Sequence, residues 1–385
     1  MTTKLNVLQV IPKLGYGGAE TGCYDIAHFL SENDCGSFIA TSGGGLLKFI
    51  KKDKVKVLRL PVHSKNPLLI ILNSLILSLY IIIFKINIVH ARSRAPAWSC
   101  YFASFLTRRI FVTTFHGTYN FKNNIKKFYN SIMLRAKLTI AGSNFIFSHI
   151  NENYSEFLSK EKKLRVIYRG INVDYYNSKN ISMLKQEKLK EEWNLSPNKF
   201  TILLPGRLTY WKGQEKFIES LNILIEDYDV VNFQAIILGS EQGRKVYKKK
   251  LINLVERYNL NKKIKFVQHC KEMPLAYSLS DVVVSASIEP EAFGRISVEA
   301  QSMGKPIIAS NIGGSKETII NKKTGLLYKH DDPRELAKCL NAVIQLSPDE
   351  LKSMGNEGRK NVTKKFDVET MCQSNLKEYK RLIKN

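Results

Sequence analysis

The sequence lacks the marks of small or specialised protein classes. Its six cysteines include no C-x-x-C pair, and its seven histidines show no spacing typical of metal ligands. It contains no low-complexity tract and no internal repeat. These absences argue against a disulfide-stapled fold, a zinc module and a repeat protein. Scattered thiols in a chain of 385 residues are typical of a reduced, cytosolic protein.

Acidic residues are few: the chain has 34 Asp and Glu and 59 Lys and Arg, which gives a formal net charge of +25. The basic residues are 44 Lys and 15 Arg. Proteins that read base sequence rely on Arg for bidentate contacts, so the Lys excess does not favour nucleic-acid recognition. No RRM, KH or zinc signature is present either. A solvated Lys-rich exterior and an anionic membrane surface both stay open.

Long apolar runs are also rare, with one exception at residues 67–84 (PLLIILNSLILSLYIIIF). Its 18 charge-free residues just reach the length that spans a bilayer. A span would place the strands predicted before and after it on opposite sides of a membrane and split one sheet. We therefore predict a helix that covers the sheet, with an interfacial helix in one leaflet as the alternative. The opening residues, MTTKLNVLQVIP, predict a first strand with no signal peptide before it.

Length and pattern together predict an α/β protein of two Rossmann-like domains. A single hydrophobic core stops growing at about 250–300 residues, so a longer chain is expected to form two domains. Strand-like runs in this sequence alternate with longer helical patterns, as in βαβ units. We place the first domain at residues 1–175, the second at 176–367, and a C-terminal helix at 368–385 that could cross back to the first. The predicted strands are residues 5–11, 37–41, 55–60, 86–90, 110–115, 138–142, 164–168, 200–205, 233–238, 264–267, 282–286 and 306–310.

Ligands of open α/β sheets bind beyond the carboxyl ends of the strands, and glycines follow the first strand there. Gly17 and Gly18 allow a close backbone approach at a helix N-terminus, where negative charge is favoured. Glu20 stands where a dinucleotide fingerprint needs its third glycine. A glycine turn of purely geometric origin is the competing interpretation.

Two further loops carry charged residues. The loop at 203–213 presents Arg207 and Lys212 beside Gly206, and two cations at this position can neutralise a diphosphate and stabilise it as a leaving group. The alternative is a solvated basic turn. The segment at 285–300 places Glu291 in a loop and Glu299 in the next helix, where carboxylates can accept hydrogen bonds from sugar and ribose hydroxyls.

A D-x-D sequence, Asp227-Tyr228-Asp229, occurs in a different setting. It ends a predicted helix away from the motif-bearing loops, so we do not interpret it as a metal site. No metal and no cofactor is predicted.

These motifs together resemble glycosyltransferase family 4, retaining enzymes with the GT-B fold of two Rossmann-like domains facing across a cleft. The resemblance spans nearly the whole chain. It rests on Glu291-Ala292-Phe293-Gly294 through Glu299, which resembles the E-x7-E signature, on Gly206-Arg207 with Lys212-Gly213, on Gly17-Gly18-Ala19-Glu20, and on Phe115-His116-Gly117.

The resemblance implies a role for each motif residue. Glu299 would hold the donor ribose, Arg207 and Lys212 the diphosphate, and Glu291 the transferred sugar, while His116 would lie near the reacting centre. The donor site would also include Gly17, Gly18, Gly206, Phe293 and Gly294. Arg169 stands where Asn is common in the family, and Asn172 where Asp is common. A nucleotide-sugar 2-epimerase on the same fold is the alternative function.

The motif loops look most like those of bacterial envelope polysaccharide and lipopolysaccharide enzymes. We therefore expect a nucleotide-sugar donor and a glycan or glycolipid acceptor. A lipid-linked, anionic acceptor would suit the basic and apolar residues of the first domain, which are Arg92, Arg94, Arg108, Arg109 and the run at 67–84. Arg92 and Arg94 are the acceptor residues predicted. The expected location is peripheral, on the anionic inner face of the bacterial cytoplasmic membrane.

Overall fold

The computed structural model describes residues 4–158 and 163–384, which form two compact units. The first unit runs to Gly170 and resumes at Val368, and the second comprises Ile171–Asp367. This boundary lies before the one drawn at 175 and 176 from sequence, because Ile171 is tied to the end of the second unit. Its amide donates to the Phe366 carbonyl at 2.9 Å, and it forms a bridge with Asp367.

The first unit is built on a parallel sheet with the order β3-β2-β1-β4-β5-β6-β7. Its central strands are apolar and buried, as expected for a parallel sheet covered on both faces. The strands are β1 Asn6–Val10, β2 Gly36–Thr41, β3 Val55–Arg59, β4 Ile88–Ala91, β5 Ile110–Phe115, β6 Leu138–Ala141 and β7 Lys163–Val166. The helices before the boundary are α1 Gly18–Glu32, α2 Pro67–Ile83, α3 Arg94–Thr107, α4 Asn124–Ser131 and α5 Asn144–Tyr154.

The second unit is a parallel sheet with the order β10-β9-β8-β11-β12-β13. All six residues of β9 are buried, and β8 lies at its centre between β9 and β11. The strands are β8 Phe200–Pro205, β9 Phe233–Leu238, β10 Ile264–Val267, β11 Val282–Ser285, β12 Ile307–Ser310 and β13 Gly325–Tyr328. The helices are α6 Met183–Glu192, α7 Gln214–Glu226, α8 Lys245–Arg257, α9 Met273–Ser278, α10 Arg295–Ser302, α11 Ser315–Thr318, α12 Pro333–Ile344 and α13 Pro348–Lys365.

Strand order reverses once in each sheet, between β1 and β4 in the first unit and between β8 and β11 in the second. Such switch points are where open α/β sheets form ligand crevices at the carboxyl edge. The motif residues Gly17 and Gly18 follow β1, Arg207 and Lys212 follow β8, and Glu291 follows β11. The fold therefore brings the motif-bearing loops of each unit to its switch point.

The last helix, α14 Val368–Lys384, belongs to the first unit. The sequence predicted this helix but did not decide whether it returns to the first domain. It packs against α1, and its apolar residues join the core of the first sheet. The Tyr379 hydroxyl lies 2.6 Å from Nδ1 of the buried His90, whose Nε2 lies 2.7 Å from the Thr114 hydroxyl. A polar chain therefore runs through this core and ends on the final helix.

Residues 67–83 form the predicted helix α2, with Asn66 as its N-cap. Its buried residues are Asn73, Ser74, Leu77, Ser78 and Ile81, and most of its leucines and isoleucines on the opposite face are exposed. In the part of the chain that the structure describes, no helix is long and apolar enough to cross a membrane.

One strand was not predicted from the sequence. β13 Gly325–Tyr328 pairs with β12 in parallel and follows a Lys-Lys-Thr turn at 322–324. Its four residues are too few to show a periodicity of their own, and the strand is defined by its pairing with β12. The twelve strands predicted from sequence all overlap observed strands.

Candidate functional site

The loop after β8 is shaped by two glycines with positive φ, Gly206 at +153° and Gly213 at +70°. At Gly213 a Cβ would lie 1.8 Å from the carbonyl oxygen of Ala286, so only glycine fits against the loop that follows β11. The buried Gln214 amide donates to the Arg207 carbonyl at 2.9 Å and closes the loop. Arg207 itself is exposed.

Lys212 joins this loop to the loop after β11. Its ammonium lies 2.7 Å from Oε1 of Glu291, and both side chains are nearly buried, with 11% and 12% of their surface exposed. The aliphatic part of Lys212 lies over Gly206, and its ammonium lies 4.5 Å from the Trp211 ring centroid. The two motifs therefore meet through their charged ends.

The Glu291 carboxylate is held ionised by its surroundings. Burial alone would raise the pKa of Glu291, but the charge and hydrogen bond of Lys212 and the hydroxyl of Ser287 lower it below its ordinary value of 4.5. The Ser287 hydroxyl donates to Oε1 at 2.5 Å. Glu291 is therefore an anion at neutral pH and does not act there as a proton donor.

Two glycines support the Glu291 loop from below. The amide of Gly314 donates to the Glu291 carbonyl at 2.7 Å, and a Cβ on Gly313 would lie 2.5 Å from that same oxygen. A Cβ on Gly314 would meet Phe293 Cα at 2.4 Å. Gly294, at φ +82°, precedes the first residue of α10. The Gly-Gly turn before α11 thus packs against the backbone of the acidic loop.

Glu299 lies in α10 and is buried, with 6% of its surface exposed. Arg295 Nε donates to its Oε1 at 2.5 Å, and the Tyr277 hydroxyl donates to its Oε2 at 2.7 Å. Burial and the charge of Glu299 raise the pKa of both Tyr277 and Tyr176, so both phenols stay protonated and can donate hydrogen bonds. The carboxylate is thereby fixed in one orientation.

In the first unit, His116 follows β5 and its ring is neutral at neutral pH. Burial, aided by the charges of Arg169 and Arg92, lowers its pKa well below the ordinary 6.5. Both ring nitrogens are buried and have no hydrogen-bond partner within residues 4–158 and 163–384. The His116 carbonyl accepts a hydrogen bond from Arg169 at 2.5 Å. A polar ring without a partner marks this position as a place where a ligand could complete the structure.

The two predicted acceptor arginines lie between β4 and α3: Arg92 directly follows β4, and Arg94 is the first residue of α3. Arg92 is buried and donates to Gln9 Oε1 at 3.2 Å. Arg94 donates to Asn130 Oδ1 at 2.9 Å and lies 4.2 Å from the Tyr119 ring centroid. Neither forms an ion pair with a carboxylate in the described part of the chain. Gly17 is the N-cap of α1, and Gly18 its first residue.

Several site residues were not found by sequence reasoning. Tyr277, Arg295 and Ser287 orient the two glutamates, and Arg169 contacts the His116 backbone. The role of Arg295 could have been predicted, because it stands four residues before Glu299 and so lies on the same helix face. Tyr277 had no local signal, since it comes from α9.

The D-x-D sequence lies where the sequence placed it, at the end of α7. Asp227 is the C-cap of this helix and forms an exposed ion pair with Arg334 at 3.6 Å. Within the described residues no group of three His, Cys, Asp or Glu side chains has the arrangement of a metal site.

Comparisons with known proteins concern the family and the fold of the chain. Residues 16–175 match the family described as Glycosyltransferase Family 4, and residues 185–361 match Glycosyl transferases group 1. A solved glycosyltransferase from Rickettsia africae is 37% identical, with full coverage of both chains and a TM-score of 0.91. Anabaena HepE, solved in complex with UDP-glucose, is 23% identical over 98% of this chain and 100% of HepE, with a TM-score of 0.82.

Among curated relatives, the capsular polysaccharide biosynthesis glycosyltransferase CapM of Staphylococcus aureus is 27% identical over 231 residues. That alignment covers 57% of this chain and 58% of CapM.

The Lys212–Glu291 pair predicts a defined pH dependence of stability. A carboxyl whose pKa is lowered by folding stabilises the fold above its unfolded pKa, and that stabilisation is lost as the pH falls through the folded pKa. Glu291→Gln should therefore lower the free energy of unfolding by about 3 kcal/mol near pH 7, because Lys212 is left nearly buried without a counter-charge. This deficit in the free energy of unfolding should shrink as the pH falls below 4.5, the ordinary pKa of Glu.

Urea unfolding at about pH 7, 5 and 3.5 measures this deficit. Glu289→Gln is the matched control, since Glu289 is exposed in the same loop, and it should leave the unfolding free energy unchanged. A deficit for Glu291→Gln that stays constant with pH would contradict the ion-pair assignment.

Proposed function

The chain belongs to glycosyltransferase family 4 and has the GT-B fold of two Rossmann-like units, and we propose that it transfers a hexose-type sugar from a nucleoside-diphosphate donor to an anionic acceptor of the cell envelope. The transfer retains the anomeric configuration and uses no metal. The observation that carries this proposal is the joining of two loops by Lys212 and Glu291 at the switch point between β8 and β11.

Both charged residues have hydrogen-bonding capacity left for a donor. The Lys212 ammonium has three N–H groups, and one donates to Glu291, so two can bind phosphate oxygens. The Glu299 carboxylate offers about four lone-pair positions. Arg295, Tyr277 and Tyr176 can use three of them, which leaves one for a ribose hydroxyl. The partners of each residue therefore orient it without saturating it.

Catalysis on this geometry is electrostatic. When the bond from the sugar to the diphosphate breaks, negative charge grows on the leaving phosphate. Arg207 and Lys212 stabilise that charge, and Lys212 is already oriented by Glu291 before the reaction starts. These two cations supply the charge that a divalent metal supplies in metal-dependent enzymes, which supports a metal-independent reaction.

The donor and acceptor classes follow from relatives and from charge. HepE, with the same fold, was solved with UDP-glucose, so a UDP-hexose is the first donor to test. CapM acts in capsular polysaccharide biosynthesis by its name, which supports an envelope glycan or glycolipid as acceptor. Arg92 and Arg94 lack carboxylate partners in the described chain and would suit an acceptor that carries negative charge. We place the enzyme on the inner face of the bacterial cytoplasmic membrane.

Donor recognition by Glu299 is tested by calorimetry with UDP, GDP, ADP and dTDP and their hexose conjugates, with EDTA present. We expect tight binding of one nucleotide and a loss of at least about tenfold in affinity for Glu299→Gln, because ribose hydroxyls lose a charged acceptor. Glu289→Gln should bind like the wild type. Binding that needs added metal, or that survives Glu299→Gln unchanged, would contradict the assignment.

Lys212 should matter more for rate than for binding. Lys212→Ala should lower kcat for hydrolysis of the bound donor by about 10²–10³-fold, with a smaller change in KM, as removal of one preorganised donor does elsewhere. Release of nucleoside diphosphate measures this rate. Lys216→Ala is the control, since Lys216 pairs with Glu219 one turn along α7 and should have no effect. Equal losses in both variants would exclude a specific role for Lys212.

Retention is tested once an acceptor is found. Glu291 and Glu299 are both already bound by cations, so neither is a free base for inverting attack by the acceptor. An α-configured donor should give an α-linked product, and the anomeric coupling constant in a proton NMR spectrum reports the outcome. A β-linked product would show that the enzyme inverts.

A further inference from the structure

Helix α2 is oriented opposite to an ordinary surface helix. Its polar residues Asn73, Ser74 and Ser78 face inward and are at most 9% exposed. The two serine hydroxyls donate to backbone carbonyls one turn earlier, at 2.6 and 2.8 Å, so they are satisfied without water. In a water-exposed helix the charged and polar residues occupy the outer face. Here that face is formed by leucine and isoleucine, which indicates an apolar environment outside it.

The exposed residues form one continuous surface with α3, which we name the apolar face. The Ser99 hydroxyl of α3 donates to the Ile70 carbonyl of α2 at 3.2 Å, so the two helices pack side by side. All members of the apolar face are between 40% and 76% exposed; they are Leu68, Ile71, Leu72, Leu75, Leu79, Ile82 and Ile83 of α2 and Phe102, Phe105 and Leu106 of α3. Exposed apolar patches of this extent mark binding surfaces.

The segment that carries the apolar face has charges of one sign. Residues 54–151, which include α2, α3 and α4, contain 14 Lys and Arg and no Asp or Glu. At the end of α3 a groove of about 760 Å³ is lined by Phe105 and Leu106 together with Arg108, Arg109, Arg135 and Lys137. The partner of this surface must therefore combine an apolar interior with negative charge at its boundary.

We propose that the apolar face docks this unit on the surface of an anionic lipid bilayer, with the groove holding a lipid phosphate. This inference rests on the proposed membrane-bound acceptor and adds the surface that meets the membrane. A bilayer of anionic lipids matches both properties of the surface, since acyl chains accept the leucines and headgroups pair with the cations. A second copy of this chain would instead bring like charges together, with no carboxylate from residues 54–151 to offset them.

One atom in the groove supports the phosphate. The Nε of Arg135 is buried and has no hydrogen-bond partner among the described residues, although its guanidinium packs between the rings of Tyr101 and Phe128, at 5.8 and 5.5 Å. A buried N–H of this kind is normally satisfied, and an anion in the groove would satisfy it. The docking is peripheral, because one face of α2 packs within the unit.

The test is flotation of the full chain with vesicles of equal phosphatidylglycerol and phosphatidylcholine, compared with pure phosphatidylcholine. We expect partitioning onto the anionic vesicles to be at least about tenfold stronger. The variant Leu75→Gln/Leu79→Gln/Ile82→Gln should lower it by at least about tenfold, since three anchoring side chains no longer favour the acyl region. Its control changes three apolar residues of the second unit that are still more exposed, Met183→Gln/Leu184→Gln/Val246→Gln, and should have no effect.

A second pair of variants tests the charge. Arg109→Gln/Lys137→Gln removes two cations that line the groove and should lower partitioning about tenfold or more. Lys249→Gln/Lys262→Gln makes the same change in net charge at exposed sites of the second unit and should have little effect. Equal losses in the two variants would show that net charge alone acts, and would overturn the proposed surface.

Two other results would also overturn it. One is wild-type protein that does not float with anionic vesicles. The other is a dimer in light scattering that becomes a monomer in the apolar-face variant while vesicle binding is unchanged, which would assign the face to self-association. Nucleotide calorimetry on the wild type and on every variant separates the two proposals. Loss of the membrane surface leaves donor binding intact, whereas failure of the donor proposal is shown by a wild type that binds no nucleotide.

Discussion

Two nearly buried charges of opposite sign, Lys212 and Glu291, connect the loops on which the candidate donor site depends. Each comes from a different βα unit of the same sheet, so neither loop could hold its charge in place alone. An unpaired charge at this depth would be strongly destabilising, and the pair is therefore a constraint on the backbone as much as a feature of the site. The close contacts of Gly213 with Ala286 and of Gly313 with Glu291 follow from bringing the loops within reach of that pair.

Much of this arrangement could be predicted from sequence, because it depends on local patterns. Apolar runs bounded by glycines place the strands, and the order of strands and helices gives a parallel sheet whose carboxyl edges collect the motif residues. Boundaries were less accurate, and β13 was missed because four apolar residues carry no period. The division between units moved to Gly170 because a backbone bridge between Ile171 and Asp367 joins segments far apart in sequence.

Side-chain partners were the part that sequence could not supply. Tyr277 reaches Glu299 from another helix, and Arg169 reaches the carbonyl of His116 from a segment more than fifty residues away. Such pairs depend on the relative placement of elements and leave no periodic trace. The orientation of α2 was hidden for a similar reason: its composition predicted a helix, but only the packing on α3 shows that serine faces inward and leucine outward.

The return of the chain to the first unit has a consequence for biosynthesis. The core around β1 and β5 includes Met371, Leu376 and Tyr379 of α14, so it stays open until α14 has been translated. The intervening residues 171–367 belong to a unit that is continuous in sequence and can fold as it emerges. At about 5–20 residues per second, the first sheet waits roughly 10–40 s for its last helix. During that time its strands are exposed to chaperones and to aggregation, although they are made before the whole of the second unit.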